Sequence, residues 1–306
     1  MKAIWKSAGA PFVLLAGFML SAGPVSPARA CTLFAGAGAG WVEGGGTLIA
    51  KNRDEAPAAQ ALQLVTNAGR YDYYILAARG RGDTGNYSAR WGMNEKGLVI
   101  ATSTAGPVPK SKRSRPGNIS VFKAVLPEYA TVDEVLENKK IFGKSNAQNI
   151  IMADRNKIIC VEVGPEGVFS IKETADGTLC HTNHYVFDDM QWANMSAPGE
   201  SSQIRLARIR HLLKGKKEHS LDDFIRHSED RAAGANNSIW RDGLSAGASQ
   251  TMAVVIARLP KEGEPSVYIK MRRNPGEKGR EEIHRLTLKE IFGGKTEKMA
   301  ADRNVK

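Results

Sequence analysis

Residues 31–54 read CTLFAGAGAGWVEGGGTLIAKNRD, and the rest of the reading works outward from them. Cys31–Ala37 and Thr47–Asp54 are short strand-like runs, and the segment 38–46 between them supplies glycine wherever a hairpin needs positive φ. What precedes them is different in kind. Met1 to Ala30 opens with Lys2 and Lys6, continues as an apolar run from Pro11 to Leu20, and ends in Ala28-Arg29-Ala30. A basic start, a short apolar core and small residues at the minus-three and minus-one positions describe a secretory signal peptide. The apolar run is shorter than the roughly 20 residues that a membrane span requires. Cleavage between Ala30 and Cys31 by signal peptidase therefore predicts an exported, periplasmic or secreted chain that begins with a cysteine. A lipoprotein would also begin this way, but Arg29 beside the cleavage point argues against one.

Composition narrows the class further. The chain has 306 residues, of which 42% are hydrophobic and 25% charged, which excludes a disordered or fibrous protein. Its three cysteines are too few for a disulfide scaffold, and none form a C-x-x-C pair. Removing Lys2, Lys6 and Arg29 lowers the formal net charge from +11 to +8. An exported protein does not meet chromosomal DNA, so the surplus is read as solubility or attraction to an anionic envelope, not as nucleic-acid binding.

Downstream, 71–80 and 89–106 continue as β runs, and the proline-containing basic segment 105–118 reads as a loop. A helical stretch opens near Ile119, and Thr131-Val-Asp-Glu134 has the form of a capping box. Residues 148–185 read as a strand meander. A basic helix is expected from about Ser202 to Leu213, with Ile204, Ala207, Ile209 and Leu212 on its apolar side. Ser220-Leu-Asp-Asp and Thr287-Leu-Lys-Glu290 start two more helices, with strand runs at 251–260 and 265–274 between them. The tail after about 294 is polar. No linker divides 31–306, so one layered α+β domain is expected.

A cysteine at a chain terminus carries its own general base, because the α-amine beside the thiol has an ordinary pKa of about 8. The plain alternative is a small buried thiol. The motifs that follow decide between these. Cys31-Thr32, Lys51-Asn-Arg-Asp54, Gly92-Met-Asn-Glu-Lys-Gly-Leu98, His181-Thr-Asn-His184 and Ser201-Ser-Gln-Ile-Arg205 occur in this order. Together they resemble the choloylglycine hydrolases and their relatives, which include bile salt hydrolases, penicillin V acylases and acyl-coenzyme A:6-aminopenicillanic acid acyltransferases. All are N-terminal nucleophile (Ntn) hydrolases, and the last two motifs resemble the acyltransferase-like branch most closely.

The resemblance implies a four-layer αββα sandwich of two antiparallel sheets between helices. It also implies cleavage or transfer at a linear N-acyl amide, a small-molecule substrate, and neither metal nor organic cofactor. Cys31 would be the nucleophile, and Asp54 would orient its amine. Lys51 stands where bile salt hydrolases have an arginine, and strand alternation is read as sending Arg53 to the opposite face from it. Asn183 would bind the oxyanion together with a backbone amide. Thr104 occupies the place of a second oxyanion asparagine, which puts bile-salt specificity in doubt. Arg205, grouped with Ser201 and Ser202, matches the family's helix arginine, the alternative being a solvated helix face. Tyr73, Trp91 and Asn94 are candidate substrate contacts, with Asn94 also readable as a turn residue. Tyr71, Tyr74 and the basic loop residues Lys110, Lys112, Arg113 and Arg115 are candidates for a pocket or lid. A zinc site at Cys180, His181 and His184 lacks a fourth ligand. Cys160 and Cys180 could pair or stay as separate thiols, Asn237-Ser-Ile-Trp-Arg241 has no evident role, and assembly as a homo-oligomer is left open.

Overall fold

The computed structural model describes residues 30–79, 87–243, 248–272 and 281–293. Residues 1–29 of the expected export signal and the tail from 294 lie outside them. Thirteen strands are found among the described residues. In chain order they are β1 (Ala30–Ala37), β2 (Thr47–Glu55), β3 (Gln60–Val65), β4 (Tyr73–Arg79), β5 (Tyr87–Asn94), β6 (Val99–Thr104) and β7 (Gln148–Ala153). They continue with β8 (Ile158–Val163), β9 (Phe169–Thr174), β10 (Gly177–His181), β11 (Gln250–Leu259), β12 (Ser266–Met271) and β13 (Glu282–Thr287). They form a six-stranded sheet, ordered β10-β1-β2-β11-β12-β13, and a seven-stranded sheet running from β3 to β9 in sequence order. Every pairing in both is antiparallel.

The helices are α1 (Lys110–Arg113), α2 (Val121–Val125), α3 (Val132–Glu137), α4 (Glu200–Lys214), α5 (Leu221–Ser228), α6 (Gly234–Asn237) and α7 (Leu288–Phe292). Three apolar layers explain the arrangement. Leu33, Ala35 and Ile49 of the first sheet meet Leu76, Trp91, Met93 and Ile151 of the second. The outer face of the second sheet presents Ile75, Ile100 and Ile150 to Phe122, Val125, Val132 and Val135 of α2 and α3. The outer face of the first presents Phe34, Leu48 and Val254 to Ile209, Leu213 and Phe224 of α4 and α5. Because the strands are apolar on both faces, each sheet must be covered twice, and the four-layer αββα sandwich follows.

Several local expectations change. The loop 105–118 contains the single turn α1. The meander from 148 breaks after β9, since β10 leaves its neighbours and pairs with β1 in the other sheet (Leu33↔His181, Phe34↔Cys180). The buried stripe of α4 is Ser202, Arg205, Leu206, Ile209 and Leu213, whereas Ala207 is exposed. Thr131 caps α3 through Glu134 N, but the Glu134 carboxylate returns to Ala130 N instead of closing the box. Ser220 with Asp223 and Thr287 with Glu290 form complete capping boxes. Cys160 and Cys180 are both free, the first in the inter-sheet layer and the second packed against the α4–α5 layer.

The β1–β2 hairpin closes on Gly46, whose φ is +82° and whose missing Cβ would overlap the Leu259 carbonyl. Gly46→Ala is therefore expected to destabilise the protein by about 2 kcal/mol or more, read as a lower urea midpoint with unchanged slope.

Candidate active site

Strand alternation sorts the residues around Cys31 onto two faces. On β1, Leu33 and Ala35 point into the inter-sheet layer, and Cys31 shares their parity. Thr32 and Phe34 face the helices. On β2, Ile49 is in the inter-sheet layer, so Lys51 and Arg53 share that face, while Asn52 and Asp54 lie on the helix side. The expectation that Arg53 opposes Lys51 is thus corrected: residues two apart on a strand share a face. Cys31 stands opposite Arg53 in the register, and Ala30 opposite Asp54.

The backbone of Cys31 is gripped from two directions. Its nitrogen donates to Asn183 Oδ1 at 2.8 Å, and its carbonyl accepts from Arg205 Nη1 at 2.6 Å. Arg205 Nη1 also donates to Thr32 Oγ1 at 2.9 Å, and Nη2 to Asn183 Oδ1 at 3.0 Å. The guanidinium thus ties β1 to the asparagine, using the planar fork that lysine lacks. At 1% exposure Arg205 is no solvated-face residue. Ser201 Oγ accepts from Arg205 Nε at 3.3 Å, one helical turn away.

Asn183 is itself immobilised. Its Nδ2 donates to the Thr104 carbonyl at 3.0 Å, its backbone nitrogen to Ser202 Oγ at 2.9 Å, and its carbonyl accepts from Gly106 N at 2.6 Å. Ser202 Oγ also meets His184 Nδ1 at 2.8 Å and Thr182 Oγ1 at 2.9 Å. The three residues grouped at the start of α4 therefore have separate tasks: Arg205 holds Cys31, Ser202 holds Asn183, and Ser201 holds Arg205.

Two further charges complete the centre. Lys51, 1% exposed, donates from Nζ to the Thr102 carbonyl. Burial pulls its pKa down to about 8; the charge Cys31 can carry opposes this, and Arg90 and Arg53 add to it. Asp54 Oδ1 accepts from Thr251 Oγ1 at 2.8 Å, and its Oδ2 is buried with no partner among the described residues. Burial raises the Asp54 pKa above the ordinary carboxylate value, against the pull of Arg205, Arg241, the Thr251 hydroxyl and Lys51. Burial likewise lowers Arg205 to about 10, against Asp54 and Cys31.

The remaining candidates divide. Thr104 is tied to the centre by its carbonyl, which accepts from Asn183 Nδ2. Trp91 is in the inter-sheet layer, on the same side as Cys31 but fully buried. Tyr73 packs with α2 and α3 on the far face of the second sheet, which corrects its reading as a pocket residue. Asn94 organises its own turn, donating to the Leu126 and Tyr129 carbonyls at 2.8 and 2.7 Å and accepting from Lys96 N and Leu98 N. That corrects its reading as a substrate contact. In the basic loop, Arg113 binds the Val108 and Gly106 carbonyls and Arg115 the Gly143 carbonyl. His181 is paired with Glu162 at 2.6 Å, both fully buried, and burial lowers His184 to about 4. Among the described residues no group of three or more His, Cys, Asp or Glu side chains is placed to hold a metal. Thr102, Gly106, Arg241 and Thr251 escaped the sequence reading because three of them act through backbone atoms or an unremarkable hydroxyl. Arg241 was seen only as part of an unassigned cluster.

Lys51 links this geometry to stability. A lysine with a folded-state pKa below its unfolded value disfavours folding while charged; the penalty is complete below about pH 8 and vanishes above about 10.5. The stability of the wild type relative to Lys51→Met should therefore rise by up to about 3 kcal/mol between pH 7 and pH 10.5, measured by urea denaturation at each pH.

Comparison with known proteins bears on the family and the fold. The family model for acyl-coenzyme A:6-aminopenicillanic acid acyl-transferase matches residues 41–269. A variant of conjugated bile acid hydrolase from Clostridium perfringens superposes with a TM-score of 0.53 at 17% identity, covering 85% of this chain and 93% of that one. A second mutant of that enzyme gives a TM-score of 0.50 at 16% identity, covering 84% and 96%. At such identities the structures attest the fold alone. No curated protein matches the sequence. With the family model spanning most of the domain and the two-sheet sandwich in place, the chain belongs to the acyl-coenzyme A:6-aminopenicillanic acid acyl-transferase family, within the Ntn choloylglycine hydrolase and penicillin acylase-like superfamily.

Proposed function

We propose that the protein is an exported cysteine Ntn hydrolase that cleaves a small-molecule N-acyl amide through a thioester on Cys31. The observation that carries this reading is the grip on the Cys31 backbone by Asn183 and Arg205, beside a buried lysine and a buried aspartate. Such a centre is costly to build around an ordinary strand residue, since several charges and polar groups leave water.

Removal of residues 1–30 turns the Cys31 nitrogen into an α-amine within reach of Asn183 Oδ1. Asp54, one of whose buried carboxylate oxygens has no partner among the described residues, lies across from the residue that is removed. The thiol gives its proton to the amine as sulfur attacks the amide carbonyl. Asn183 Nδ2 has two N–H bonds, one committed to Thr104; the second, with a backbone amide, meets the oxyanion. The amine then protonates the leaving nitrogen, the C–N bond breaks, and water hydrolyses the thioester. Lys51 favours the thiolate form of the attacking sulfur.

Acyl transfer is the second reading, favoured by the description of the matching family. An amine in place of water would take the acyl group from the same thioester, and added amines would then compete with hydrolysis.

The test uses the exported protein, with penicillin V, conjugated bile salts, N-acyl homoserine lactones and N-acyl amino acids as trial substrates. Amino-terminal sequencing should begin at Cys31, and mass spectrometry should find an acyl adduct on that residue. Cys31→Ala should lose activity by about a thousandfold or more; full activity in this variant would sink the reading. A second expectation concerns maturation. Ala30 and Cys31 are 4% and 7% exposed within β1, so the cut between them has to be made before this strand is folded into the sheet. Folded precursor should resist leader peptidase at that bond, whereas urea-unfolded precursor should be cut there.

A further inference from the structure

The segment Asn237-Ser-Ile-Trp-Arg241 follows α5 and α6 and packs against the underside of β2. Asn52 on β2 donates to the Ile239 carbonyl at 3.0 Å, and Trp240 N donates to the Asp230 carbonyl at 2.9 Å. Arg241 then makes a two-way backbone contact with Thr251: Thr251 N donates to the Arg241 carbonyl at 2.9 Å, and Arg241 N to Thr251 Oγ1 at 2.8 Å. With one of its two lone pairs taken by that N–H, the threonine hydroxyl gives its proton to Asp54 Oδ1, at 2.8 Å.

A β-bulge makes this possible. Thr251 pairs with Asp54 and Ala253 with Arg53, so Met252 is the extra residue between them. By simple alternation Thr251 would share the inter-sheet face of Ala253. The bulge turns it instead to the helix side, where Asp54 lies. The bulge itself is pinned, since the Met252 carbonyl accepts from Gln60 Nε2 at 2.6 Å and from Arg272 N at 2.9 Å.

We propose that Thr251, oriented by Arg241, is a positioning residue that aims the Asp54 carboxylate at the α-amine of the cleaved Cys31. This rests on the reading of Cys31 as an N-terminal nucleophile. The groups whose charge or hydrogen bond acts on Asp54 are Arg205 from α4, Arg241 from the segment after α6, Thr251 from β11 and, from the other face of its own strand, Lys51. The three cations set the local field, but only Thr251 makes a directional bond to the carboxylate among the contacts described. Burial drives Asp54 toward its neutral form, and the Thr251 hydroxyl is one of the influences that hold it ionised.

The test compares wild type, Thr251→Val, Thr251→Ser and Thr251→Ala, each produced by export of the full chain and confirmed to begin at Cys31. Two profiles are read between pH 4 and pH 9: turnover of p-nitrophenyl phenylacetate, and alkylation of Cys31 by iodoacetamide, quantified on the amino-terminal peptide. Thr251→Val should lose about tenfold in kcat at neutral pH with KM changed by less than about twofold, and its acid limb should move up by about one pH unit. The upward direction follows because loss of the hydroxyl removes a bond that favours the charged carboxylate. Thr251→Ser should overlay the wild type in both profiles. If Thr251→Val does not fold, as judged by circular dichroism and melting, Thr251→Ala carries the same comparison. A folded variant with unchanged kcat and acid limb, or a serine variant as impaired as valine, overturns the proposal while leaving the nucleophile reading intact. A wild type in which Cys31 takes neither acyl group nor label overturns both.

Discussion

The amide oxygen of Asn183 takes two hydrogen bonds at once, from the nitrogen of Cys31 and from the guanidinium of Arg205. Most of the site depends on that shared acceptor. Arg205 reaches it from α4 while also holding the Cys31 carbonyl, so the helix layer and the first sheet are locked at one point. Asn183 reaches it from the segment that leaves β10, and its own amide nitrogen is anchored on the end of β6 in the second sheet. Helix layer, first sheet and second sheet therefore converge on a single side chain. An asparagine suits this position because it offers both an acceptor and two donors in one plane without a charge.

Around that point the electrostatics are unfavourable for folding. Lys51 and Arg205 are almost fully buried, and burial lowers the pKa of each. Asp54 is buried with them, and burial moves it the opposite way. Asp54 and the cations support one another, the cations oppose one another, and each loses hydration. Perturbed groups gathered beside one thiol are common in catalytic centres and also occur in buried ion-pair networks.

Much of this was legible in order of motif but not in geometry. Four of the five motifs supply side chains that meet around Cys31: Lys51, Asp54, Asn183 and Arg205 share contacts or charges there, whereas the Gly92–Leu98 motif stays in its own turn. Tyr73 and Asn94 do not join them, because proximity of strands in a sheet says nothing about which face a side chain takes. The apolar stripe of α4 was misplaced for a related reason. Its buried face carries Ser202 and Arg205, so a search for hydrophobic residues rotates the helix away from the side that meets Cys31 and Asn183. Thr251 was invisible because a one-residue bulge reverses its face, and a bulge leaves no mark in the sequence around it.

By itself the sequence determined most of the strand and helix runs, though not β3, β13 or α1, together with their capping residues, the hairpin that begins at Cys31 and the order of the motifs. Those features are local: they follow from alternation, glycine and side-chain caps acting over a few residues. Only the tertiary structure decided that β10 deserts its sequence neighbours to pair with β1, that Arg53 shares a face with Lys51, and that Arg205 reaches the Cys31 backbone. Nothing local in the short run Gly177–His181 marks which sheet it joins, so the choice between sheets falls to long-range packing. The paired register then sets which polar groups meet inside it.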